Sequence, residues 1–404
     1  MDYMTDNIST YVWPGQTHFG FGAAGMAGQE VQALQANSVF VLTDPGIISA
    51  QLLEPVTSSL EAAKLIYIIY DEVPANPDIA SVDAATAAFR DSGADVIVAV
   101  GGGSVLDAAK GVRLAAGGPL NASVSEYAPV MGDKVRPTPS PNDMPPMIAI
   151  PTTAGTGAEV TPWGVLTDLK RKLKFGIGGP YLVPNVALVD PELTLTLPPG
   201  LTAATGLDAL SHCIEAYVST NQNPALDPMI LYGVELIGRS LRLTVAQPSN
   251  QAARRDMMLA SMIAGVGISS KWLGACHSLA HQLSTFANVQ HGVAIALMLP
   301  HQMAFSLPGA LERYGDVGAA LAGLERWELP EAGLGRRAKA ERAVNAVREL
   351  VNDVGLPSRL RDAGVTVEMI PSMARNAYQL DGNWPTNPRL VDESDFENLY
   401  QQAF

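Results

Sequence analysis

Residues 94–111 read ADVIVAVGGGSVLDAAKG, and the order of textures in that stretch decides the fold of the first half of the chain. A valine-rich apolar run is a strand covered on both faces; three glycines then let the backbone turn sharply, and the segment after them is helical. The same alternation extends in both directions. SVFVLTD (38–44) and KLIYIIYDE (64–72) read as earlier strands and MIAIPTT (147–153) as a later one. Helices are expected over ISAQLLEPVTSSLEAA (48–63), despite its Pro55, and over VDAATAAFRDSG (82–93). Strands separated by helices pair in parallel through right-handed crossovers, so this half is an α/β unit. The proline-rich residues 118–146 read as a long surface connection.

The glycines carry chemistry as well as geometry. Gly101, Gly102, Gly103 and Ser104 end a strand and open a helix, a place where free amide donors and the positive dipole end face an anion such as a phosphate. The spacing is neither GxGxxG nor a Walker loop, so a plain strand-to-helix turn is the other reading. Asp107, placed in the first turn of that helix, either holds a ligand hydroxyl or complements the dipole. Asp44, in Asp-Pro-Gly after its strand, either binds a ribose 2′-hydroxyl, which favours NAD over NADP, or is turn chemistry. PTTAGTGAEVT (151–161) offers the hydroxyls of Thr152, Thr153, Thr156 and Thr161 to a nucleotide, or to capping and turn bonds. The expectation is a Rossmann-like nucleotide-binding domain over residues 1–195.

From residue 196 the strand-like runs give way to helical patterns, the break falling at VDPELTLTLPPG (189–200); residues 196–404 are expected to form an all-helical domain, with LPEAGLGRRAKA (329–340) as a loop inside it. Four of the six histidines lie between 277 and 301, in HSLAHQLSTFANVQHGVAIALMLPH. His277 and His281 share a helical face, and His291 follows after room for a turn; upstream, Asp208 and His212 in TGLDALSHCIEAY repeat the four-residue interval. Two such pairs plus His291 point to a shared metal site, and imidazole with carboxylate suits iron or zinc. His18 and His301 read as structural, and Cys213 and Cys276 as small buried side chains.

Composition limits the alternatives. A chain of 404 residues suggests two domains, and 47% hydrophobic with 16% charged residues describes a folded globular protein. A formal net charge of -14, with no basic run beyond LKRKLK (169–174), argues against a nucleic-acid partner. No segment reads as a leader peptide or membrane span, so a cytoplasmic protein without a membrane partner is expected.

Together, GGGSVLDAAK, PTTAGTGAEVT, the lysine of KLKFGI, TGLDALSHCIEAY, HSLAH with HGVAIALMLPH, and NPR (387–389) resemble the iron-containing, or group III, alcohol dehydrogenases through nearly all of the chain. The resemblance implies the dehydroquinate-synthase-like architecture, in which a cleft between an α/β nucleotide domain and an all-α metal-binding domain holds metal and nicotinamide. It implies Asp208, His212, His277 and His291 as metal ligands, His281 as the histidine near the nicotinamide, and Lys174 near the cofactor. The function implied is metal-dependent, NAD(P)-linked interconversion of an alcohol with its aldehyde or ketone. NAD is the expected cofactor, with ferrous iron, or zinc or another divalent ion, as the metal; a homodimer or larger homo-oligomer is the family's usual assembly. Three neutral imidazoles and one carboxylate would leave such an ion a formal positive charge that eases loss of an alcohol's proton, and His281 is placed to relay it.

The sequence departs from the family in GVGISSKWLGACH (265–277), where Ile268, Lys271 and Trp272 occupy a stretch that usually carries an aromatic and then small residues. Lys271 either selects an anionic substrate, with Trp272 narrowing the entrance, or points to solvent while Trp272 packs between helices. The alternatives are a maleylacetate-reductase-like or other reductase of carboxylated carbonyls and, more remotely, a dehydroquinate-synthase-type lyase. Retention of Asp208 and the three ligand histidines argues for a metal, and the scarcity of basic residues argues against a phosphorylated substrate.

Overall fold

Strand β4 (Val96–Gly101), the valine-rich run before the glycine turn, is buried along its whole length in the computed structural model, which describes residues 10–12, 15–128, 135–171, 173–323 and 334–404. It lies inside a six-stranded parallel sheet with β1 (Gln16–Phe19), β2 (Ser38–Leu42), β3 (Ile66–Tyr70), β5 (Met147–Pro151) and β8 (Val186–Val189), in the order β1-β8-β5-β4-β2-β3. A separate antiparallel pair is made by β6 (Trp163–Asp168) and β7 (Leu173–Gly178).

Strands β2, β4 and β5 show why a run can be apolar without alternation. Phe40, Leu42, Ile97, Ala99, Met147 and Ala149 enter one core. Their chain neighbours Val39, Val41, Val96, Val98, Val100, Ile148 and Ile150 enter another. Successive side chains point to opposite faces, so a strand covered on both sides must be apolar at every position.

The chain divides into two units: Val12–Thr153 with Gly157–Thr196, which holds the sheet, and Leu197–Phe404 with Ala154–Thr156 and the residues up to Tyr11. In the second unit the described residues form helices and no strands, the longer helices being Pro199–Val218, Asp227–Ala246, Gln251–Lys271, Ala275–Ala287, His291–Ser306 and Arg336–Asp353. The fold class is therefore α/β followed by a helical unit, as expected.

Three local expectations change. The single helix over 48–63 is two, Pro45–Ser49 and Glu54–Ala62, separated by Gln51 at φ 57°. Pro55 sits in the first turn of the second, where its missing N–H removes no helical bond. Of the loop expected over 329–340, residues 329–333 lie outside the described residues, and Arg336–Ala340 open a helix of 18 residues. Parts of the 118–146 connection and of LKRKLK also lie outside them. Among the described residues no single helix is long and apolar enough to cross a membrane.

Candidate metal and nucleotide sites

The helix Pro199–Val218 places Asp208 and His212 one turn apart with 2% and 5% of their surface exposed. His277 and His281 stand one turn apart on the helix Ala275–Ala287, and His291 is the first residue of the next. The reversal between them turns on Asn288, which takes the left-handed conformation at φ 52°. Gly292 then lets the two helices touch: a Cβ there would lie 2.2 Å from the carbonyl oxygen of Ala204, in the helix that carries Asp208.

These elements converge on Asp208 Oδ1. His212 Nε2 lies 3.7 Å from it, His277 Nε2 3.7 Å and His291 Nε2 3.4 Å. Donor atoms of Asp208, His277 and His291 all lie within 4.8 Å of one another. Tetrahedral ligation at bonds of roughly 2.0–2.2 Å sets ligand atoms about 3.3–3.6 Å apart, close to the separations seen. Asp208 Oδ1 and His277 Nε2 are buried without a hydrogen-bond partner, an arrangement that is costly unless a cation meets them. The donor set fits a divalent transition metal.

Charge in the cluster follows from its neighbours. Burial by itself raises the Asp208 carboxyl, but His212, His291 and His277 outweigh it and hold Asp208 well below the usual carboxylate range. Burial lowers His212, whose Nδ1 lies 3.3 Å from the Gly155 carbonyl oxygen, leaving Nε2 toward Asp208. Burial also lowers His277, but Glu215, aided by Asp208, overrides it and raises the imidazole to about 9. Glu215 binds His277 Nδ1 with Oε2 and accepts the Cys276 amide with Oε1 at 2.8 Å. Such a carboxylate behind a ligand imidazole fixes its tautomer and orientation.

His281 is arranged differently. Its Nδ1 is 2.7 Å from Asp381 Oδ2, and its ring centre lies 5.4 Å from that of His291 and 6.1 Å from that of His277. Neither Glu215 nor Asp381 was among the residues expected from sequence. Glu215 follows Asp208 and His212 at the next turn of the same helix face, a signal that was there to be read. Asp381, 100 residues beyond His281, leaves no such local trace.

In the sheet unit, Gly102 caps the helix Gly103–Ala116 without any side-chain bond to its first turn, so its leading amides face outward from the end of β4. Gly101 has a packing reason to be glycine: a Cβ would sit 2.5 Å from Val105 Cγ2. Ser104 spends its hydroxyl on the Ala75 carbonyl. Asp44 Oδ1 accepts the Gly46 and Ile47 amides at 2.7 and 3.1 Å and caps a helix, a turn role that keeps its carboxylate just past the end of β2. Thr152 is buried and Thr153 half-buried, Thr153 lying near Gly102; Thr156 is half-buried.

Two of the expected nucleotide contacts have partners within the protein. Asp107 is the fifth residue of its helix, past the first turn, and its Oδ2 accepts the Val165 amide at 3.0 Å while Oδ1 is 4.0 Å from Lys110 Nζ. Burial raises its carboxyl to about 6, against the opposing charges of Lys110 and Lys174. It fastens the helix to β6. Thr161 is likewise occupied, its hydroxyl taking the fully buried Lys110 ammonium at 2.8 Å. Lys174 is half-buried on β7, near enough to Asp107 to influence it.

The substrate residues are corrected. Lys271 Nζ is fully buried, 2.9 Å from Asp227 Oδ1, while Arg313 reaches the other oxygen at 2.7 Å. Its charge is spent within the helical core, neither free for a substrate anion nor turned to solvent. Trp272 leaves the helix at φ 66° with 46% of its surface exposed, so it does not pack between helices. Ile268 is half-buried.

Residues 14–191 match the sequence family described as iron-containing alcohol dehydrogenase, and residues 202–404 the one described as Fe-containing alcohol dehydrogenase family, C-terminal. The 1,3-propanediol dehydrogenase of Citrobacter freundii is 36% identical over 403 residues, 99% of this chain and 100% of its own. The lactaldehyde reductase of Escherichia coli (strain K12) is 37% identical over 387 residues, 96% of this chain and 97% of its own. Among solved structures, a 1,3-propanediol oxidoreductase superposes with a TM-score of 0.91 at 36% identity, covering 98% of this chain and 100% of that one.

Proposed function

Because the chain belongs to the iron-containing alcohol dehydrogenase family, we propose that Asp208, His212, His277 and His291 hold its divalent iron and that His281 handles the alcohol proton. The enzyme is a metal-dependent, nicotinamide-linked oxidoreductase that interconverts alcohols and aldehydes. The observation that carries the assignment of ligands is the ring of three Nε2 atoms, 3.4–3.7 Å from one buried carboxylate oxygen. When bound, the iron supplies Lewis acidity toward a hydroxyl or carbonyl oxygen, and the nicotinamide takes or gives the hydride.

The chain's own residues do the rest. Asp208 brings one negative charge among neutral donors, and Glu215 turns His277 Nε2 toward it. His281 holds its Nδ1 on Asp381, which leaves Nε2 to accept the alcohol proton or return it to the carbonyl oxygen. The uncapped helix start at Gly102–Ser104 binds the pyrophosphate, with Thr152 and Thr153 on the neighbouring loop.

We further propose NAD over NADP, since Asp44 at the end of β2 would oppose a 2′-phosphate, and a short uncharged diol or hydroxyaldehyde as substrate. The relatives named for 1,3-propanediol and lactaldehyde support that substrate class. The pairing of Lys271 with Asp227 takes away the cation on which a carboxylated substrate rested. Protein purified without oxygen, loaded with iron and assayed on neutral and carboxylated aldehydes with NADH and NADPH should favour the neutral compounds and NADH. A preference for NADPH or for carboxylated aldehydes would overturn these two assignments.

A further inference from the structure

We infer that Asp381 is the positioning residue of the proton-transfer step: it fixes the His281 imidazole in the tautomer with hydrogen on Nδ1 and so keeps Nε2 available for the substrate proton. The inference rests on the assignment of His281 above and adds a residue 100 positions away to it.

The carboxylate is built in from three sides. Oδ2 lies 2.7 Å from His281 Nδ1. Oδ1 accepts the hydroxyl of fully buried Ser278 at 2.7 Å, the Asn383 amide at 3.0 Å and Asn383 Nδ2 at 2.9 Å. Those donors fill one oxygen and leave the other facing the ring. An ionised carboxylate can only accept, so the shared hydrogen must come from Nδ1. The Asp381 backbone is also tied down, its amide donating to the Asn376 carbonyl at 3.2 Å where the helix Ile370–Gln379 ends.

Ser278 belongs to the same helix as His281, so donor, imidazole and carboxylate form a closed circuit joining the Ala275–Ala287 helix to the segment after Gln379. The helix thus carries two histidines one turn apart, each held at Nδ1 by a carboxylate: His277 by Glu215 and His281 by Asp381. With Nδ1 engaged in both, both Nε2 atoms are left for work, one beside Asp208 Oδ1 at 3.7 Å and the other outside that ligand ring. In the unassisted ring either nitrogen can carry the hydrogen, and the form with hydrogen on Nε2 cannot accept a proton there. Removing an analogous carboxylate from a histidine base lowers turnover by roughly 10⁴ in a triad hydrolase.

The test is Asp381→Asn, close in shape, alone and combined with His281→Ala. Turnover of Asp381→Asn should fall on the order of 10²-fold or more while KM, metal content and NADH binding change less than about threefold. In the His281→Ala background the same substitution should cost less than about threefold, because the histidine it positions is gone. A second readout does not depend on turnover: ¹⁵N-histidine spectra of the zinc-loaded protein should show the His281 hydrogen on Nδ1, moving to Nε2 in Asp381→Asn. A wild-type hydrogen on Nε2, unaltered turnover in Asp381→Asn, or an equal loss with and without His281 would overturn the inference. Full activity of His281→Ala would instead overturn the assignment of His281 itself.

Discussion

Glu215 supports His277 from behind, so Glu215→Gln should leave the fold and the ligand set intact and still weaken metal binding. Loss of such an outer carboxylate lowers affinity about 10- to 100-fold, which a chelator competition reads directly; unchanged affinity would show that His277 needs no support. The same pair sets the pH dependence of loading. His277 is raised to about 9, so below that pH the imidazole carries a proton that an incoming metal must displace. Uptake should therefore release a proton, and affinity should fall about 100-fold from pH 8.5 to 6.5, one factor of ten per pH unit. A flat profile would mean that the His277 imidazole is already neutral over this range. Lys271 acts on stability instead. Replacing it with methionine strips one of two cations from Asp227 in the core and should destabilise by about 3 kcal/mol, while the ratio of rates on neutral and carboxylated aldehydes stays at the wild-type value.

At the scale of elements, the site depends on two helices approaching at Gly292. An alanine there would bring its Cβ to 2.2 Å from the Ala204 carbonyl oxygen, which is backbone and cannot rotate away. Gly292→Ala should lower stability by about 1–3 kcal/mol and, by pushing His291 away from Asp208, reduce bound metal; wild-type metal content would show that the helices can part without opening the site. Elements of this kind were unevenly legible in the sequence. Strands β2, β4 and β5 announced themselves because double coverage makes every position apolar, and the edge strand β3 because IYIIY is apolar although its residues are exposed or half-buried, whereas β1, with the sequence QTHF, and the four-residue β8 are too short to show a period. The cluster of Asp208, His212, His277 and His291 was legible because a helix converts a four-residue interval into one face. The partners of Asp107, Thr161 and Lys271 were not legible for the opposite reason: each is polar in a plausible place, and each has its partner in Val165, Lys110 or Asp227, from 51 to 58 residues away for the first two and 44 for the third. Local spacing has no access to such pairings.

For the whole molecule, the pH dependence of stability should be set in part by charges buried far along the sequence from the metal ligands. Burial raises Glu159 to about 7, from an ordinary 4.5, with the Glu159 backbone bond and Lys110 opposing it only in part. In the unfolded chain this carboxyl ionises near 4.5; in the folded protein it keeps its proton until about 7. Between those values the folded state binds more protons than the unfolded, so its contribution is fully present below the unfolded value and is lost as pH rises through the folded one. Glu159→Gln, which is neutral throughout, should match the wild type near pH 4 and exceed it at pH 8 by up to about 3 kcal/mol, since each pH unit between the two values is worth about 1.4 kcal/mol. Thermal unfolding of the two proteins at both pH values decides it. Equal midpoints at pH 8 would mean that the ionised Glu159 is well compensated where it stands, with Lys110, which also donates to Thr161 Oγ1 and the Trp163 carbonyl, as the counter-charge.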